Sequence, residues 1–341
     1  LKNNANDFQK ISFRQRVAVD ISNRTTRKSL LGVEYKMPVA LAPVGSLGMQ
    51  RADGEILAAQ AAEGFGVPFT LSTMSICSIE EVARNTSKPF WFQLYVMRDH
   101  DFAKRLVERA KAAQCSALVL TLDLQILGQR HADIRNGLSI PLKIKLSNLF
   151  DLLSKPSWCY QMARTKNRTF GNVMGHVKDI TNLNSLTKWV QDQFDTKLNW
   201  DDVKRIKDWW GGKLIIKGIM DPDDAKMAQK CGADALVVSN HGGRQLDGVN
   251  SSISTLPEIK KAVSNMEVLM DGGISSGQDI LKAIAMGAEG VMIGRSFVYG
   301  LSAGGKEGVT KSLEILNKEL DMTMALCGRR DIKDVGRDII K

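Results

Sequence analysis

Short apolar runs rich in β-branched residues recur along the chain, separated by longer stretches with helical spacing of apolar positions. The runs are "MPVALAP" (37–43), "PFTLS" (68–72), "FWFQLYV" (90–96), "ALVLTLD" (117–123), "KLIIKG" (213–218), "ALVVSN" (235–240), "EVLMDGG" (267–273) and "GVMIGR" (290–295). Helical patterns fall between them: "DGEILAAQAAEGF", "SIEEVARN", "HDFAKRLVERAKAAQ", "NWDDVKRIKDWW", "PDDAKMAQKCG", "TLPEIKKAVS" and "SGQDILKAIAMG". Several open on Asp, Ser, Thr or Asn, whose side-chain oxygens cap free amide hydrogens at a helix start. Strands apolar on both faces and joined by helices predict a parallel sheet. Eight such units predict an α/β fold, a (β/α)8 TIM barrel with a long insertion after strand four. An open doubly wound sheet is the alternative, disfavoured because no G-x-G-x-x-G follows the first strand.

Polar residues or glycines end nearly every run: Pro43, Ser72, Gln93 with Tyr95, Thr121 with Asp123, Lys217, Ser239 with His241, Asp271 with Gly272 and Gly273, and Gly294 with Arg295. In a barrel these ends share one rim, where the loops build an active site. The glycines of "MDGGISSG" and "MIGRSF" let backbone N–H groups approach an anion after strands seven and eight, and Arg295 adds a fixed positive charge.

An apolar content of 43% and a charged content of 25% describe an ordinary globular chain. No apolar run approaches the roughly 20 residues of a membrane-spanning helix. The net charge of +10 attracts anions without choosing among them. Cys77, Cys115, Cys159, Cys231 and Cys327 lie far apart, without metal-ligand spacing, and are expected to be buried free thiols. No metal site is expected. The chain begins at Leu1, without a methionine or a secretory signal pattern, and is expected to start inside a longer sequence.

The strand ends "LAPVG", "LSTMS", "WFQLYV", "LTLD…LGQRHADIRNG", "IIKGI", "VVSNHGGRQLDG", "MDGGISSGQD" and "GVMIGRSFVYG" resemble the FMN-dependent 2-hydroxy acid dehydrogenases and oxidases, from about residue 8 onward. "LSTMSICSIEEVA", "HGGRQLDGVNSSISTLPEI" and "GLSAGGKEGVTKSLEIL" look most like the bacterial L-lactate dehydrogenases of that family. The resemblance implies FMN over the barrel mouth. Pro43, Val44 and Gly45 would touch the flavin ring through backbone, and Ser72, Gln93 and Thr121 would bond its edge. Lys217 would sit where negative charge accumulates on reduction, and Ser239 would contact the ring or its chain. Asp271 would bind the ribityl chain, and Gly272, Gly273, Gly294 and Arg295 the phosphate. Many members carry arginine where this chain has Ser275.

For the substrate, the resemblance makes His241 the base and Asp123 its partner. Arg130 and Arg244 would clamp the carboxylate, and Tyr95 would bond the hydroxyl or the carboxylate. The residue types suit these roles, since imidazole titrates near neutral pH, a carboxylate stabilises imidazolium, and guanidinium matches a carboxylate bidentately. The implied reaction oxidises an L-2-hydroxy acid, L-lactate foremost, to the 2-keto acid. Whether His241 takes the α-proton or the hydroxyl proton stays open. Electrons would pass to quinone or another acceptor, the alternative being an oxidase that uses O2. Met74 stands where glycolate oxidases have tryptophan, compatible with a small substrate.

Residues 1–341 read as one barrel domain, with 141–200 as an insertion or lid. The insertion holds nine Lys/Arg against four Asp/Glu, together with Phe150, Trp158, Tyr160, Phe170, Trp189, Phe194 and Trp200. A lid alone and a lid that also meets an anionic membrane surface are the two readings; no nucleic-acid module accompanies it. The expected location is the cytoplasm or the cytoplasmic face of the inner membrane. The resemblance further implies a homotetramer. It also implies an upstream helical segment whose tyrosine contacts the substrate carboxylate.

Overall fold

The computed structural model describes residues 2–126, 128, 135, 154–177 and 193–341. Eight parallel strands lie where the apolar runs place them: Val39–Leu41 (β1), Thr70–Ser72 (β2), Trp91–Tyr95 (β3), Ala117–Thr121 (β4), Lys213–Ile219 (β5), Ala235–Val238 (β6), Glu267–Asp271 (β7) and Gly290–Ile293 (β8). Neighbouring strands run β1-β8-β7-β6-β5-β4-β3-β2. Leu41 closes the ring: it pairs in parallel with Phe69, and its N–H donates to the Pro68 carbonyl at 2.9 Å. The barrel is the expected (β/α)8 fold.

Period-two alternation divides each strand between two cores. Outward positions such as Leu71, Phe92, Leu94, Leu118, Leu120, Ile216, Val268 and Ile293 pack against the helices. Inward positions Ala40, Trp91, Ala117, Val119, Ile215, Ala235, Val237, Leu269 and Met292 fill the barrel's lower half, with Leu30 among them. Moving up the same inward rows, the residues turn polar: Ser72, Gln93, Thr121, Lys217, Ser239 and Asp271, all buried. The apolar floor thus carries a polar layer at the C-terminal ends of the strands.

The seven expected helices are present, three of them opened by the reciprocal capping boxes Ser78/Glu81, Asn199/Asp202 and Ser276/Asp279. Asp53 departs from the capping expectation: its carboxylate instead accepts from Thr165 Oγ1 at 2.8 Å and Asn167 Nδ2 at 2.9 Å. Two elements carry no periodic signal in the sequence. Lys2–Gln9 is a helix with only Asn4 and Phe8 buried, so it has no apolar stripe. Lys28–Leu30 and Val33–Tyr35 form a hairpin whose strands are too short for periodicity to register. Arg295–Leu326 is a long helical element broken at Gly305, where φ is 61°.

The cysteine expectation needs one correction. Cys77, Cys115, Cys231 and Cys327 are buried, but Cys159 is half-buried because its helix, Pro156–Arg164, lies on the surface with no buried residue.

The described part of the insertion between 165 and 174 is fixed to the barrel. Val173 and Asn172 are fully buried. The Asn172 amide accepts from Ile79 N–H at 2.9 Å and donates to Ser75 Oγ at 2.9 Å. Arg109 grips Glu80 with two nitrogens, at 2.7 and 2.8 Å, and donates to the Asn172 carbonyl at 3.0 Å. Asn172→Ala should therefore cost about 1–3 kcal/mol, the penalty of stranding buried polar groups, read from the shift in urea unfolding. The Arg109 bonds hold the Glu80 pKa at about 2, below its ordinary 4.5. Its stabilisation is present above pH 4.5 and lost as pH falls toward 2. The stability gap between parent and Glu80→Gln should close over that window in acid titrations of unfolding.

Candidate active site

A cavity of about 750 Å³ opens at the C-terminal ends of the strands, within the roughly 300–1,000 Å³ of small-molecule and cofactor sites. Its wall includes Pro43, Val44 and Gly45 after β1, Ser72 and Tyr95 at the ends of β2 and β3, and Thr121 at the end of β4. Lys217, His241, Arg244, Asp271, Gly272, Gly273, Gly294 and Arg295 complete the expected set that faces it. Asp123, Gln93 and Ser239 are not among its lining residues, but each bonds a residue that is. Arg130 lies outside the described residues.

Lys217 is 4% exposed and its ammonium lies 2.9 Å from Asp271 Oδ2 and 2.9 Å from Ser239 Oγ. Burial works against the charge, but Asp271 and Asp123 outweigh it, and the amine stays above its ordinary range. Lys217 is therefore a permanent cation on the cavity floor. Ser239 Oγ also accepts the His241 N–H at 3.1 Å, coupling the cation to the next turn.

That turn begins directly after β6. His241, Gly242 and Gly243 take φ of 57°, 68° and 71°, three successive left-handed residues, which explains the two glycines. A non-glycine residue there is strained, and His241 accepts that conformation in return for its direction. Its Nδ1 sits 3.0 and 3.2 Å from the two Asp123 oxygens. A carboxylate only accepts, so Nδ1 carries the proton and Nε2 is left able to take another. Burial pushes the Asp123 carboxyl upward, but the His241 bond and the Lys217 charge overcome this and keep its pKa low.

Gly218 makes the pairing possible. It has φ of 102° at a register shift in β5, and a Cβ there would lie 2.8 Å from Asp123 Cβ and Cγ. Gln245, which no sequence signal marks, donates to the carbonyls of Asp123 at 2.8 Å and Ile126 at 2.9 Å, tying the β4 and β6 loops together. Gln93 is wholly buried: it accepts from Ser72 Oγ and donates to Thr121 Oγ1, both at 3.1 Å, orienting the two hydroxyls at the wall.

The ends of β7 and β8 suit a polyhydroxylated anion. Asp271 Oδ1 is buried and has no hydrogen-bond partner among the described residues, an acceptor waiting for a donor. Gly294 precedes the helix Arg295–Leu326, whose first N–H groups point outward, and a Cβ at Gly294 would meet nothing within 4 Å. Ser275 bonds Asp279 at 2.9 Å. The wall also includes Met74, Val96, Met97, Leu124, Gln193 and Phe194. Phe194 comes from the end of the insertion and is held by an antiparallel bridge to Met97. No sequence signal distinguishes it from the other insertion aromatics.

The FMN-dependent dehydrogenase family matches residues 1–341. The chain is 45% identical over 337 residues to an L-lactate dehydrogenase of Haemophilus influenzae (strain PittEE), covering 98% of this chain and 88% of the relative. It is 45% identical over 342 residues to an L-lactate dehydrogenase of Caulobacter sp. (strain K31), covering 100% and 90%. Among solved structures, the monotopic membrane protein (S)-mandelate dehydrogenase matches with a TM-score of 0.94 and 34% identity, covering 100% of this chain and 90% of that one. A mandelate oxidase variant with (S)-mandelic acid matches with a TM-score of 0.82 and 33% identity, covering 100% and 88%. Matched along residues 1–341 and at these identities, the chain belongs to the FMN-dependent dehydrogenases.

Proposed function

We propose that the protein oxidises L-lactate to pyruvate. The reading is carried by one juxtaposition: the His241–Asp123 pair opens onto the same cavity as Tyr95, Arg244 and the buried cation Lys217. The names of the bacterial relatives favour lactate over other 2-hydroxy acids. Arg244 would hold the substrate carboxylate, assisted by Tyr95 and Arg130. His241 would take a proton at Nε2, while Asp123 balances the imidazolium so formed.

Pro43, Val44, Gly45, Ser72 and Thr121 would hold the FMN ring, with Gln93 and Ser239 orienting the groups that touch it. Asp271 would hold the sugar chain, and Gly272, Gly273, Gly294 and Arg295 the phosphate. FMN, when bound, supplies the acceptor for the two electrons. Lys217, charged and fixed beforehand, would stabilise negative charge at that end of the site without reorganising.

Quinone is the proposed final acceptor. The mandelate dehydrogenase neighbour is a monotopic membrane protein, which supports a peripheral site of action on an anionic membrane surface. Among the described residues no helix is long and apolar enough to cross a membrane. A homotetramer is proposed on family resemblance alone.

Anaerobic addition of L-lactate should bleach the flavin of the purified holoprotein faster than glycolate or mandelate does. An unchanged spectrum with every acid would overturn the reading, and rapid reoxidation by O2 without quinone would replace dehydrogenase with oxidase. His241→Gln should slow the bleaching by roughly 10²–10⁴-fold, the usual contribution of a positioned base. Lys217→Met leaves Asp271 buried and unpaired, so unfolding stability should drop by about 3–5 kcal/mol, measured with urea. A loss within error of zero would mean that the ammonium is not desolvated as the geometry requires.

A further inference from the structure

The left-handed turn that carries His241 is held from outside the barrel. Asn240, which precedes it, is 9% exposed, and every hydrogen-bonding position of its side-chain amide is filled. Its Oδ1 accepts from Gly243 N–H at 3.0 Å and from Asn4 Nδ2 at 2.7 Å. Its Nδ2 donates to Asn4 Oδ1 at 2.8 Å and to the Asn250 carbonyl at 3.1 Å. Asn4 comes from the helix Lys2–Gln9 and is 2% exposed. The two amides thus form a reciprocal pair in a nearly dry setting, where an unpaired member is costly.

Asn4 also meets the neighbouring loop. A Cβ on Gly273 would collide with the Asn4 carbonyl oxygen, and one on Gly272 would lie 2.9 Å from Asn4 Nδ2. Ser252 N–H donates to Asn4 Oδ1 at 3.4 Å. One buried asparagine therefore sits against the His241 turn, the Gly272–Gly273 turn and the start of the helix Ser252–Ala262.

We propose that Asn4 is a positioning residue. Its side-chain amide locks Asn240, and through it the run His241–Gly243, in the one orientation that keeps the imidazole on Asp123. The role in turnover rests on the proposed oxidation, but the positioning does not. An amide is required because Asn4 both donates and accepts across the pair. Aspartate at this position would set an acceptor against Asn240 Oδ1, and alanine would remove one of the two bonds at each polar end of Asn240.

The test uses the holoprotein with histidine labelled in the ring with ¹⁵N; the sequence has four histidines, and His241→Gln assigns the signal of interest. In Asn4→Ala and Asn4→Asp the His241 ring signals should move, while those of His100 stay in place. Asp7→Ala serves as the control, since it removes a bond of the same helix to Ser251 without touching Asn240. If Asn4 only docks the helix, Asp7→Ala and the Asn4 variants will shift His241 alike or not at all, and the proposal falls. Anaerobic flavin reduction by L-lactate should slow by roughly 10–100-fold in Asn4→Ala, as expected for displacement by a fraction of an ångström to an ångström, with little change in Asp7→Ala. Should no acid reduce the parent, the proposed oxidation fails while the labelling result still decides the role of Asn4. If Asn4→Ala does not fold, the isosteric Asn4→Asp decides it by the same signals.

Discussion

A single buried ammonium imposes order on the whole rim. Taking a lysine charge out of water costs several kcal/mol unless partners replace the lost hydration. Lys217, on β5, finds them on nearby strands: Ser239 just after the neighbouring β6 and Asp271 at the end of β7, one strand further, with Asp123 after the neighbouring β4 near enough to act through space. Register pairs Lys217 with Val237 and Val237 with Leu269, so the long lysine side chain meets Ser239 and Asp271 two residues further along their inward rows, and barrel closure and charge compensation support each other. Apolar residues below exclude water and make the charges strong; without that floor the same residues would be a screened surface cluster.

The same cation reaches the histidine turn by two routes. Ser239 Oγ receives both the Lys217 ammonium and the His241 N–H, and Lys217 helps keep Asp123 ionised for the imidazole. A left-handed histidine is unfavourable in isolation. It persists because the groups around it over-determine it: a serine beneath, a carboxylate beside, and an asparagine amide behind. The strain is local, while its compensation is spread over four strands and a helix.

Much of this was legible in the sequence because its physics is local or periodic. Inward positions alternate with outward ones, so Ile215 in the floor makes Lys217, two residues on, a rim residue. His241 announces itself by following an apolar run and preceding two glycines. What escaped lacked either signal. The helix Lys2–Gln9 buries one polar and one aromatic residue, so no stripe marks it. Gly218 matters for the space it leaves to Asp123, and Gln93 for orienting hydroxyls on other strands; both roles exist only once separate strands are side by side. Phe194 is one aromatic among several in a basic insertion until its bridge to Met97 turns it toward the cavity.

These relations explain why the cavity can be rigid in one part and open to variation in another. The Lys217–Asp271–Ser239–His241–Asp123 side is built from inward strand positions and their immediate successors, each paired with at least one other member. A substitution there strands a buried charge or donor. Met74, Val96, Met97, Leu124 and Phe194 give the wall an apolar stretch, partly contributed by the insertion, whose shape can change without stranding a buried charge. Chemistry and substrate choice therefore rest on different physical footings: the first on a closed electrostatic network, the second on packing that tolerates exchange. That separation lets one barrel keep a fixed reaction while the side chain of the acid it accepts is altered.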